Sequence, residues 1–136
     1  MCHEQILSSG QNRKAMMKFT ESQLKYVLSI YEISMENADV SSANIAKKLK
    51  ISKPSVSTML TALMNEHLVV RERYSKVYLT DEGYLIAKKL ESNLQILAKR
   101  IPQMGLGISE ETVYEMARAI AIAMPNENFE ISDREV

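Results

Sequence analysis

At 136 residues, 46% of them hydrophobic, the chain is long enough for one domain, or one domain with a helical appendage. No apolar run approaches the roughly 20 residues needed to span a bilayer, and residues 1–18 lack the apolar stretch of a secretory signal. The expectation is a cytoplasmic protein with no membrane partner, whose sole cysteine, Cys2, excludes an internal disulfide.

Basic and acidic side chains balance at 17 each, but they are unevenly placed. From Ala43 to Arg100 eleven Lys and Arg face five Asp and Glu, a net +6, whereas from Ile101 onward two face seven, a net −5. A basic middle and an acidic end are expected where one part of a protein meets phosphate and another does not.

Residues 1–18 show no sustained periodicity and are read as a flexible amino-terminal arm. Thr20-Glu21-Ser22-Gln23 has the spacing of a capping box. It opens a helix to about Met35, with Leu24, Val27, Leu28, Tyr31 and Met35 on one face. Ser41 or Ser42 caps a second, short helix whose Ile45, Ala46 and Leu49 recur at helical spacing, with Ile51 ending its apolar face. Ser52-Lys53-Pro54 then opens a third, where proline in the first turn forfeits no needed hydrogen bond. Val56, Met59, Leu60 and Leu63 form its buried stripe. Ser55, Ser57, Thr58 and Thr61 remain on the other side, small and neutral, where a solvated face would carry Lys and Glu. Two short helices with such a face read as a helix-turn-helix with a recognition helix.

Leu68–Tyr74 and Val77–Thr80 are rich in β-branched and aromatic residues and flank Ser75-Lys76, which predicts two strands and a two-residue tip. A basic ribbon after a recognition helix is a wing able to reach DNA phosphates through Arg73 and Lys76. Thr80 or Asp81 caps the next helix, along which Ile86, Leu90, Leu94, Leu97 and Ile101 form one stripe. After Pro102 and Gly105-Leu106-Gly107, Ser109 caps a last helix whose stripe is Val113, Met116, Ala117, Ile120 and Met124. Its opposite side is small (Ala119, Ala121, Ala123), and so much apolar surface on so short a chain calls for a partner helix from a second subunit. Residues 126–136 read as a loose acidic tail. The expected architecture is mainly α with a small β-ribbon: an arm (1–18), a winged helix-turn-helix (19–83), a helical dimerisation region (84–125) and the tail.

No phosphate-binding glycine loop, catalytic carboxylate pair or nucleophile elbow occurs, so no enzyme is expected. His3 and His67 are far apart and neither has a second ligand at metal-binding spacing. His67 reads as structural, at a helix end that favours a cation.

The order of elements resembles the diphtheria-toxin-repressor family of metal-dependent regulators, in particular its short manganese-regulator branch. The resemblance rests on Val40-Ser41, Asn44-Ile45-Ala46, Ser55 through Leu60, Leu68-Val69, Tyr74, and Leu79 through Gly83 with Ala87. It implies a homodimeric repressor on a palindromic operator in double-stranded DNA, with Ser52, Pro54, Ser55 and Thr58 near bases and phosphates. Lys53, Ser57 and Thr61 complete the candidate DNA-facing set. The resemblance also implies a divalent metal site, whose ligands would fall at Lys25, Leu28, Leu94, Arg118, Ala121 and Ile122. Those residues are unsuited to manganese or iron(II), which take carboxylate and imidazole, so no cofactor is expected. Two other readings compete. One is a winged-helix module that docks a protein; the other is a multiple-antibiotic-resistance-type regulator that senses a small molecule.

Overall fold

The computed structural model describes residues 18–36, 39–72 and 76–130. Nearly all of the expected amino-terminal arm, the wing residues Arg73 and Ser75, and the end of the acidic tail lie outside them. The described elements are α1 (Glu21–Met35), α2 (Ser42–Leu49), α3 (Lys53–Asn65), β1 (Val69–Arg71), β2 (Val77–Leu79), α4 (Asp81–Arg100), a 3-10 turn (Ile101–Met104) and α5 (Glu110–Ala123). They fall into two compact units. Among the described residues, one comprises those between Glu21 and Lys88, and the other joins 89–130 with 18–20.

Within the first unit α1 is wrapped far more completely than a single stripe requires. Tyr26, Ser29, Ile30 and Ile33 are buried along with Leu24, Val27, Leu28 and Tyr31. Met35, expected on that stripe, ends the helix and is 64% exposed, because the buried run stops at Ile33. Ile51 departs from expectation in the same way, being exposed beyond the break that ends α2. Val56, Leu60 and Leu63 hold α3 to the core, each fully buried, and each such side chain contributes about 1.5–3 kcal/mol.

The ribbon pairs Val69 with Leu79, Val70 with Tyr78 and Arg71 with Val77. It is shorter than the expected strands and differently closed. The Glu72 N–H donates to the Lys76 carbonyl at 2.8 Å, so Lys76 belongs to the ladder rather than to a two-residue tip. The ribbon also gains a third edge. Ser41 bridges Lys76, and the Val77 N–H donates to the Val40 carbonyl at 2.9 Å. Those bonds tie the start of α2 to the wing. Gly83 seats the start of α4 against β1: a Cβ there would lie 2.2 Å from the Leu68 carbonyl oxygen, so only glycine fits.

In the second unit Leu90 and Leu94 are fully buried as expected, but so is the polar Asn93. Its amide donates to the Glu127 carbonyl at 2.8 Å and accepts the Phe129 N–H at 3.2 Å. Asparagine offers one donor and one acceptor face and so stands in for a backbone partner. The tail, expected to be loose, is therefore tethered to α4 at Glu127 and Phe129.

Candidate nucleic-acid interface

The site is assembled from two capped helices and the turn between them. The Ser41 hydroxyl accepts the Asn44 N–H at 3.2 Å, which selects Ser41 over Ser42 as the cap of α2. α2 ends in Lys50, whose φ of 58° is left-handed and turns the chain sharply towards α3. Ser52 caps α3 by accepting the Ser55 N–H at 3.3 Å, and Pro54 sits in the first turn. Both caps satisfy amide groups that a helix start leaves without partners. α3 ends at His67, again left-handed with φ 61°. The His67 N–H donates to the Met64 carbonyl and the Leu68 N–H to the Leu63 carbonyl, each at 3.0 Å. This pair of bonds is the Schellman closure that glycine usually makes.

Lys53, Pro54, Ser55, Thr58 and Thr61 are exposed on α3, which contains no acidic residue. The threonine hydroxyls are committed inward: Thr58 donates to the Pro54 carbonyl at 3.0 Å and Thr61 to the Ser57 carbonyl at 3.1 Å. With that proton used, each threonine retains its acceptor lone pairs and a methyl group. Lys76 is exposed at the ribbon, and Arg73 lies outside the described residues. Lys48 is drawn away, since its ammonium lies 3.5 Å from Glu36 and 3.9 Å from Glu32 on α1.

Ser57 does not share the open face. It is partly buried, and the Arg71 guanidinium lies 3.5 Å from its hydroxyl and donates to Ser42 at 3.2 Å. Strand alternation explains the reach. Val69 is buried and Val70 is half exposed, so Arg71 returns to the inner face, towards the helices. Arg71 was absent from the sequence-derived set, although its even spacing from the apolar Val69 marks the inward side.

The positions that the family resemblance assigns to metal ligands do not fit a divalent ion. Leu28, Leu94 and Ala121 are fully buried, and Ile122 nearly so. Lys25 is exposed, and the Arg118 guanidinium lies 3.5 Å from the Tyr114 hydroxyl. None of the six offers a carboxylate or imidazole. Among the described residues no cluster of three or more His, Cys, Asp or Glu side chains could hold a metal. No helix among them is long and apolar enough to cross a membrane.

Of the residues expected at a dimer interface, Val113 and Ala117 are buried within the single chain, and Met116 and Ile120 partly so. Met124 is 52% exposed. Among the described residues of the second unit, the other exposed large apolar side chains are Met104, Leu106, Ile108 and Tyr114. Leu106 and Ile108 were passed over because they sit in a glycine-flanked linker rather than on a helical stripe.

Residues 18–77 match the family described as iron dependent repressor, N-terminal DNA binding domain. The HTH-type transcriptional regulator MntR of Geobacillus kaustophilus is 28% identical over 101 residues, covering 74% of this chain and 70% of that protein. Among solved structures, the manganese regulator SloR superposes with a TM-score of 0.62 at 25% identity, over 82% of this chain and 48% of that one. The IdeR of T. acidophilum shares the fold, with a TM-score of 0.60 at 24% identity over 74% and 47% of the two chains. The chain thus spans about half the length of these solved regulators. By its amino-terminal DNA-binding domain and its match to MntR, the chain resembles the diphtheria-toxin-repressor family, and within it the manganese regulators.

Proposed function

We propose that the chain is a sequence-specific repressor that binds a palindromic operator as a homodimer and is not switched by manganese or iron(II) at the family site. The observation that carries the reading is the exposed face of α3, where Ser55, Thr58 and Thr61 project hydroxyl and methyl groups without an acid among them. Such a face can press into a major groove, where acceptor oxygens meet adenine and cytosine amino groups and a methyl meets that of thymine. Lys53 and Lys76 supply charge for the flanking phosphates. A homodimer is supported by the exposed Met104, Leu106, Ile108, Tyr114 and Met124, and it would bring two α3 helices to successive grooves. Metal independence is supported by the side chains at the family's ligand positions: Leu28 and Leu94 are each buried hydrocarbon and offer an ion no donor.

One titration tests the reading. Duplexes selected from a random pool, and a scrambled control, are titrated at several salt concentrations, first with chelator and then with about 1 mM manganese. The expected result is salt-dependent, sequence-selective binding of equal strength in both conditions. A tenfold gain on adding manganese would overturn metal independence, and a lack of salt-dependent binding to any duplex would overturn the DNA reading. Sedimentation of the same chelated sample should give a dimer at tens of micromolar; a monomer would remove the palindrome from the proposal.

A further inference from the structure

Arg71, Ser42 and Ser57 meet at a concavity of about 380 Å³ between the start of α2 and the start of α3, with Ala43, Lys53 and Pro54 on its rim. The hydrogen-bonding groups that line it have a feature in common. Arg71 has five N–H donors, and two of its nitrogens reach the hydroxyl oxygens of Ser42 and Ser57. In donating to those oxygens it leaves each hydroxyl with its own proton still to give. Lys53 adds an ammonium. The lining contains no carboxylate, so the few polar groups that reach this largely apolar hollow offer donors and positive charge. The complement of such a lining is an oxyanion that only accepts. The remaining wall is apolar, formed by Ala43 and the ring of Pro54. A free inorganic phosphate has no use for that wall, whereas a phosphate in a DNA strand carries a deoxyribose that would lie against it.

We infer that this concavity is a seat for one backbone phosphodiester of DNA, held by Arg71 with Ser42, Ser57 and Lys53, and that Ser57 positions the arginine rather than reading a base. The inference rests on the DNA-binding reading of α3 and adds a contact from the inner face of the ribbon. It also gives the bond between Val77 and Val40 a role, because that bond ties β2 to the segment leading into α2.

The test is the salt dependence of duplex binding by the full chain carrying Arg71→Gln, which keeps a donor for the serines and loses the charge. Arg71→Ala and Arg71→Lys are measured beside it, with urea unfolding to show that each variant is folded. Relative to wild type, Arg71→Gln should weaken binding about tenfold and lower the slope of log affinity against log salt by about one, equally on selected and scrambled duplexes. Arg71→Lys should restore the slope. A merely structural arginine would change stability without moving the slope. An unchanged slope in a folded Arg71→Gln protein, with wild type still binding DNA, would overturn the seat and leave the DNA reading standing. Failure of wild type to bind any duplex would overturn both. Inorganic phosphate at about ten millimolar is the second arm: stabilisation of wild type that is lost in Arg71→Gln, with the duplex slope unchanged, would make this a free-anion site and overturn the assignment.

Discussion

The exposed side of α3 and the positions that the family resemblance assigns to metal ligands lie in one chain and differ in kind. On α3 the small hydroxyl residues of the proposed DNA-reading face are exposed, on a helix capped by Ser52 and free of acids. Four of the positions that the family resemblance assigns to metal ligands, Leu28, Leu94, Ala121 and Ile122, carry side chains that belong in a core, with Leu28 and Leu94 fully buried. The physical distinction is between a surface whose identity matters to a partner and an interior whose identity matters to packing. A hydroxyl on α3 contributes little to folding, because water satisfies it equally well in the unfolded chain. A leucine in a core contributes stability whether or not a metal was ever there. The two regions should therefore answer the same substitution in different ways.

The largest difference is expected at Leu94. Leu94→Ala should lower unfolding free energy by about 2–5 kcal/mol, as cavity-forming truncations do. It should create no manganese response, since the cavity it leaves would gain no ligand. Urea unfolding with and without manganese checks both halves. A protein stabilised by manganese only after this truncation would mean that leucine had been blocking a site that is otherwise intact.

At Thr58 the two readouts should move apart. Thr58→Ala removes an exposed side chain from mid-helix, and alanine is the better helix former by a few tenths of a kcal/mol, so stability should hold or rise slightly. Specific DNA binding should fall by about 1–3 kcal/mol while binding to a scrambled duplex stays unchanged. Anisotropy titrations on the two duplexes at one salt concentration measure this. Equal losses on both would place Thr58 beside the backbone instead of the bases.

Most of the first unit was legible from periodicity and punctuation. The Ser52 cap, Pro54 and the stripe of Val56, Met59, Leu60 and Leu63 all follow from local spacing, and the structure has each as expected except Met59, which is only partly buried. The features that were missed depend on contacts distant in sequence. The third edge formed by Val40 and Ser41 is a pairing across more than thirty residues, with a single β-branched residue as its local trace. Nothing in the local sequence marks Asn93 for burial, which makes sense only with the backbone at Glu127 and Phe129 beside it. The dimer-face residues were chosen from the helical stripe of α5, but a stripe marks what is buried and does not say by which chain. Val113 and Ala117 are buried within their own chain. Arg71 is the most instructive omission, because charge suggested solvent while strand parity pointed inward.

The smallest expected effect lies where α3 hands over to the ribbon, and it separates backbone from side chain. His67 holds a φ of 61°, which an L-residue adopts at a cost of roughly 1–2 kcal/mol and glycine adopts freely. Its imidazole is exposed, and its bond to Thr80 runs through its carbonyl, which accepts the threonine hydroxyl at 2.7 Å. Replacement by glycine keeps that carbonyl and both bonds of the helix closure. Against the relief stands the greater freedom of glycine in the unfolded chain, worth about 0.4–1 kcal/mol. The balance predicts that His67→Gly stabilises the protein by roughly 0.5–1 kcal/mol, seen as a higher urea midpoint at unchanged slope. Duplex affinity should stay the same, since the histidine stands at the end of α3 remote from Lys53 and Ser55, which open it. A loss of stability would show that the imidazole itself holds the end of α3. A loss of affinity at unchanged stability would extend the DNA-facing surface from the first turns of α3 to its last.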